Sequence, residues 1–141
     1  MEYGQKLEAL GGGMSQTNLT VTAGNSGNSN NGDLGDPSTT VQAKRVDVQF
    51  DFDNTAGSPT DNGTYRVFVQ HSDNGTDWAD AGEGHPFMSW YGSSAGDDLG
   101  ASAVYSFEPK LRYYRFVIFN DNSADSVDVD IETAHQLDQD G

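Results

Sequence analysis

The residues to weigh first for chemistry are the three histidines, His71, His85 and His135. A zinc or general-base site wants imidazoles at short spacing, as in H-x-H or H-E-x-x-H, so that one element presents them together. These three lie in three separate segments, and only the fold could assemble them. The serines offer no better lead: there is no G-x-S-x-G turn, and Gly92-Ser93-Ser94 lacks a strand-to-helix setting. Carboxylates are plentiful, 17 Asp and 5 Glu. Glycoside hydrolysis needs two of them across a cleft, in environments that push their pKa values apart. Asp51/Asp53 and Asp128/Asp130 are instead i,i+2 pairs on single strand faces. No residue is expected to be catalytic, and the chain reads as a non-enzyme.

Hard cations are a better match for this composition than catalysis. Residues 31–36 and 73–77, together with Asp97-Asp98, carry the oxygen donors that calcium takes. None follows the spacing D-x-[DN]-x-[DN]-G-x₅-E. The expectation is weak, diffuse cation binding, with no defined metal site and no cofactor. Exposed aromatic residues stack on sugar rings or anchor subunit contacts. Phe87, Met88, Trp90 and Tyr91 sit in a Gly/Ser-rich stretch, where they either cap the core or meet a neighbour. With Leu7 and Leu10 they form the expected interface set, and Trp78, Trp90 and Tyr91 form the alternative glycan-binding set. Trp78 reads first as a core plug that opens a returning strand.

The elements that must position these groups are strands. In residues 45–53 (RVDVQFDFD), Val46, Val48, Phe50 and Phe52 face one way, and Asp47, Gln49, Asp51 and Asp53 the other. That is period two with acid toward solvent. Residues 126–133 (SVDVDIET) repeat the pattern. Residues 64–72 form a further strand ending at Asp73-Asn74-Gly75, a hairpin signal. Residues 111–120 (LRYYRFVIFN) are a nearly continuous apolar run and read as the most buried strand. Residues 18–23 alternate as a first strand, and residues 104–107 are short and β-like. The domain plan is an N-terminal arm (1–16), a β-sandwich (17–134) with a polar loop (24–40), and an acidic tail (135–141).

Charge bounds the setting. Against 22 acids stand 7 bases, for a formal charge of −15, and the lysines are only Lys6, Lys44 and Lys110. Such self-repulsion is felt over a Debye length of about 8 Å at physiological salt and about 3 Å in molar salt. The composition suits concentrated salt. It also repels phosphates, so no nucleic-acid partner is expected. No apolar run approaches the roughly 20 residues that span a bilayer, and the first residues lack a secretory signal, so no membrane partner is expected. There is no cysteine, which excludes disulfides and thiol chemistry.

Three stretches carry a resemblance: Gln70-His71-Ser72-Asp73-Asn74-Gly75-Thr76-Asp77-Trp78, the Phe107-Glu108-Pro109 corner, and Leu111-Arg112-Tyr113-Tyr114-Arg115-Phe116-Val117-Ile118. Together they resemble the S-D-G-x-x-W … R-Y-x-R-x-x pattern of discoidin-like (coagulation factor 5/8 type C) jelly rolls and of small sandwich modules in phage structural proteins. The resemblance covers somewhat under half the chain and marks a hairpin and a core strand. It implies an all-β, antiparallel, jelly-roll-like sandwich; the cysteine pair common in discoidin domains is absent. With the composition, the whole resembles a structural protein of a haloarchaeal tailed virus: a capsid decoration, turret or tail component in the virion, assembled in the host cytoplasm. The expected partners are other virion proteins and copies of itself. The alternative expectation is a carbohydrate-binding module for host surface glycans.

Overall fold

The computed structural model describes residues 13–39, 41–54, 64–78, 88–91, 98–99, 104–121 and 126–136. Alternation of apolar and polar residues, with β-branched and aromatic side chains on the apolar side, makes the long strands. These are β4 (Arg45–Asn54), β5 (Thr64–Ser72), β9 (Tyr113–Asn120) and β10 (Val127–Gln136). Shorter ones are β1 (Ser15–Val21), β2 (Ser26–Asn28), β3 (Gly32–Asp33), β6 (Met88–Tyr91), β7 (Asp98–Leu99) and β8 (Tyr105–Phe107). No helix occurs among the described residues, so none there is long and apolar enough to cross a membrane.

Two antiparallel sheets result. The first runs β1-β10-β4, with β7 and β8 sharing the far edge of β4. The second runs β9-β5-β6, with β2 and β3 sharing the near edge of β9. Counting each shared edge as one position, the chain fills eight positions in jelly-roll order, and the fold is an all-β antiparallel sandwich of that type. The central ladder of the first sheet pairs β4 with β10 without interruption, from Asn54↔Val127 to Arg45↔Gln136.

The core lies between the sheets. Val46, Val48, Phe50 and Phe52 meet Tyr65, Val67, Tyr114, Phe116 and Ile118, and Val127, Val129 and Ile131 join them from β10. Phe50 stands edge-on to Phe116 across the interface at 5.1 Å, and Phe52 lies 5.4 Å from Tyr65. Such aromatic pairs add about 1 kcal/mol beyond their burial. The polar groups around Tyr114 are partnered. The Tyr114 hydroxyl lies 2.7 Å from His135 Nε2 and 3.2 Å from Thr133 Oγ1, and Thr133 in turn bonds both backbone groups of Met14. Burial pushes the Tyr114 phenol up to about 12. A Cβ on Gly32 would lie 2.0 Å from Tyr114 Cζ, so β3 passes this ring only because residue 32 has no side chain.

Three sequence expectations are corrected here. Residues 24–40 are not a plain polar loop: β2 and β3 pair with β9, and Leu34 is buried. Their pairing is made by backbone groups, which close the edge of β9 without needing apolar side chains. Residues 13–16 are not arm, because Met14 is buried and Ser15 begins β1. His135 and Gln136 are not tail, because β10 carries them and His135 is buried. Residues 1–12 and 137–141 lie outside the described residues.

Candidate recognition face on the second sheet

Alternation along β5 and β9 aims Arg66, Phe68, Gln70 and Ser72, and Tyr113, Arg115, Val117 and Phe119, away from the core. Register sets them in rows: Arg66↔Phe119, Phe68↔Val117, Gln70↔Arg115 and Ser72↔Tyr113. On the neighbouring edge, Ser26 and Asn28 of β2 fall opposite Phe119 and Val117, and Asp33 of β3 falls opposite Tyr113. Of these eleven positions only Asp33 is a carboxylate, and it is paired with Arg112. Phe68 and Val117 are buried at the centre of the face, and Arg66, Tyr113, Arg115 and Phe119 are half-buried around them.

Guanidinium groups lie over the rings of this face. Arg66 Cζ is 4.8 Å from the Phe119 ring centre, Arg112 is 4.9 Å from Tyr113, and Arg115 is 4.4 Å from Trp78. Contacts of this kind contribute about 0.5–2 kcal/mol, more when desolvated. The turn after β5 places Trp78. Asn74 Oδ1 accepts the backbone N–H groups of Thr76 and Asp77, both at 2.9 Å, and Ser72 Oγ accepts those of Asn74 and Gly75. Gly75 takes φ 81°, the left-handed region that glycine enters freely. Locked this way, the chain leaves β5 sideways and sets the indole, half-buried, against Arg115.

The four arginines differ in what neutralises them. Arg45 pairs with Asp47 at 2.8 Å, Arg66 with Asp121 at 2.7 Å and Arg112 with Asp33 at 2.8 Å. The hydrogen bonds to Asp121 and Asp33 raise the Arg66 and Arg112 guanidinium pKa values, and Arg112 holds the Asp33 carboxyl below its usual range. Arg115 has no carboxylate partner among the described residues. Its Nε donates to Gln70 Oε1 at 2.7 Å, a neutral acceptor, and desolvation lowers its pKa. An arginine stays protonated regardless.

The first sheet shows the opposite chemistry outside. Asp47, Gln49 and Asp51 of β4 and Asp128, Asp130 and Glu132 of β10 face outward, with Asp51 directly opposite Asp130. The three acids of β10 take hydrogen bonds from hydroxyl and backbone donors of β1, Ser15 Oγ to Glu132, Asn18 N to Asp130 and Thr20 Oγ1 to Asp128, whereas Asp47 takes them from Arg45 and Ser106. A bulge between Gln16 and Leu19, with Asn18 at φ 57°, aims the Asn18 N–H at Asp130. A cavity of about 360 Å³ lies where Ser15, Gln16 and Thr17 face Asp51, Asp130 and Glu132.

The sequence-predicted sites fare unequally. Leu7, Leu10 and Phe87 lie outside the described residues. Met88, Trp90 and Tyr91 are described as backbone: they form β6, opposite Val67, Tyr65 and Thr64 on the edge of the second sheet. Trp78 is neither a core plug nor the start of a strand, because the Asn74 turn carries it over the outer face and β5 pairs with β6 instead. His71 packs on Phe107 and His135 on Tyr114, each on an inner strand position, and His85 lies outside the described residues. Among the described residues no three potential ligands gather for a metal ion. Of the proposed cation loops, Asp33 caps the Gly35 N–H besides pairing with Arg112, and Asp36 caps Ser38. Sequence reasoning missed Arg115, Gln70 and Tyr113. Their signal was present as the polar half of an alternation inside a run that reads as continuously apolar.

No family model matches the sequence, and no curated protein matches it. Two solved structures are similar in strand arrangement. The crystal structure of PBSX exported protein XepA aligns with a TM-score of 0.49 at 15% identity, over 96% of this chain and 43% of that one. A carbohydrate-binding module from Cellvibrio mixtus lichenase 5A, in complex with cellotriose, aligns with a TM-score of 0.45 at 8% identity, over 89% and 88%. The chain thus spans 43% of the length of the first. Both likenesses are distant.

Proposed function

We propose that this protein is a non-enzymatic recognition module that binds carbohydrate on the outer face of its second sheet. The observation that carries the reading is the position of Trp78, held on the surface by a dedicated turn beside Arg115 and Gln70. A half-exposed indole offers a flat apolar plane to the C–H face of a sugar ring. The guanidinium beside it suits hydroxyl groups, and a few placed polar groups beside an apolar plane are how such sites fix orientation. Trp90 and Tyr91, on the β6 edge of the same sheet, belong to the same reading. Neither a cofactor nor a metal ion takes part. Binding to an array of neutral and acidic oligosaccharides is expected for the wild type. It should be lost in Trp78→Ala with circular dichroism unchanged. Absence of wild-type binding at millimolar glycan would overturn the reading.

A second reading is a structural component of a halophilic archaeal virus particle, a capsid decoration, turret or tail protein meeting copies of itself or other virion proteins. It draws on the acidic composition and on Val41 and Leu111, the two large apolar side chains exposed among the described residues, at 80% and 45%. Burial of such residues drives subunit contact. In molar NaCl, sedimentation should show oligomers that Leu111→Asp disperses. A monomer at every concentration would count against it.

A further inference from the structure

We infer that Arg115 is a subsite for the carboxylate of an acidic sugar, such as a uronic acid residue within a glycan. The inference rests on the carbohydrate reading and narrows it to a ligand class. In a chain with 22 acids and 7 bases, Arg45, Arg66 and Arg112 each hold a carboxylate at 2.7–2.8 Å. Arg115 alone is kept from one among the described residues, although a single Glu at position 70 would supply it. Gln70 stands there instead, directly opposite in register, and fixes Nε at 2.7 Å. Trp78 fixes the guanidinium plane from one side. A guanidinium oriented by two neutral groups keeps its remaining N–H edge for a bidentate acceptor, the geometry that carboxylates match.

The neighbourhood selects a sugar acid over a bare anion. Beside the guanidinium lie the Trp78 indole and the half-buried Tyr113 ring, which stack on a pyranose, and the exposed Ser26 and Asn28 of the same face offer neutral partners for hydroxyl groups. Two carboxylates of this sheet, Asp33 with Arg112 and Asp121 with Arg66, are already neutralised in pairs. The net charge of −15 repels a polyanion at long range, so the contact forms best where salt shortens the Debye length to about 3 Å, as in 1 M NaCl. The close, partly desolvated contact is screened much less.

Titration calorimetry in 1 M NaCl tests this with two probes: oligogalacturonate, and the same oligomer with its carboxyl groups reduced to primary alcohols. The wild type should bind the acid form about tenfold or more tightly than the neutral form, the scale of one charge-assisted hydrogen-bond pair. Arg115→Gln should remove that preference, bringing the affinities for the two probes within about twofold of each other. Gln70→Glu, which gives Arg115 an internal carboxylate and keeps the guanidinium in place, should remove it equally. Equal wild-type affinity for both probes, or a preference that survives either substitution, would overturn the inference. If the neutral oligomer binds through Trp78 without an acid preference, the carboxylate subsite fails and the carbohydrate reading stands. Binding to neither probe overturns both.

Discussion

The outer faces of the two sheets are built by the same alternation and hold opposite chemistry. On the first sheet Asp47, Asp51, Asp128, Asp130 and Glu132 line the outer face; Ser15, Asn18 and Thr20 donate to Glu132, Asp130 and Asp128, and Ser106 donates to Asp47. On the second, Arg66, Phe68, Tyr113, Arg115, Val117 and Phe119 occupy the corresponding positions. Among the described residues the acid is therefore not spread evenly over the two outer faces. Repulsion is tolerated on one face, where water and salt can answer it, and withheld from the other, where arginines lie over aromatic rings. A face whose one carboxylate among the described positions is paired with an arginine, in so acidic a chain, is the place to look for a partner.

The largest way to break this comparison is to move acid across the sandwich. Phe68→Asp puts a charge in the buried centre of the second sheet's face and should destabilise the fold by about 3 kcal/mol or more. Gln49→Asp, which adds the same charge to the already acidic face, should change stability by less than about 1 kcal/mol. Urea denaturation of both variants measures the gap, and similar losses would mean that the faces do not differ.

A smaller effect separates both faces from the interior that they share. Tyr114→Phe should cost about 1–2 kcal/mol at neutral pH by leaving His135 and Thr133 short of a partner. The folded phenol titrates at about 12 against 10.0 when free. Its folded pKa is raised, so its share of stability is complete below pH 10 and is lost as pH climbs toward 12. The difference between wild type and Tyr114→Phe should therefore shrink over that window in denaturation series, whereas a constant or widening gap would contradict the buried setting.

The smallest effect sharpens the acidic side. Asp130 lies opposite Asp51, and like charges so placed destabilise a sheet by a few tenths of a kcal/mol. Asp130→Asn keeps an acceptor for the Asn18 N–H and should stabilise the protein by about 0.5 kcal/mol in dilute buffer. The gain should vanish in 1 M NaCl, where exposed charges are screened. Thermal melts at the two salt concentrations give the answer.

How legible each face was depended on whether its side chains or its backbone carried the structure. Residues 45–53 and 64–72 were readable as strands because Val46, Val48, Phe50 and Phe52 announce period two, and β5 begins and ends at Thr64 and Ser72. Ser26-Gly27-Asn28 has no such pattern. Its strand exists because β9 needs an edge partner, a demand made elsewhere in the chain. Trp78 was misread because Asp73-Asn74-Gly75 promises a tight hairpin, whereas Asn74 Oδ1 gathers two backbone donors and turns the chain outward. The acidic face was visible in composition alone. The arginine face was not, since the pairs Arg66–Asp121 and Arg112–Asp33 join residues 55 and 79 positions apart.

The pairing of β1 with β10 has a consequence for how the chain reaches this state. Ser15 lies beside Glu132, 117 residues away in sequence, and β10 also supplies the central partner of β4. Until β10 is in place, both neighbours present unpaired edges with apolar inner faces, an arrangement open to wrong association. Pairings this distant in sequence slow folding, toward the millisecond-to-second scale of folds dominated by them. Acid along those waiting strands would keep copies of the unfinished chain apart.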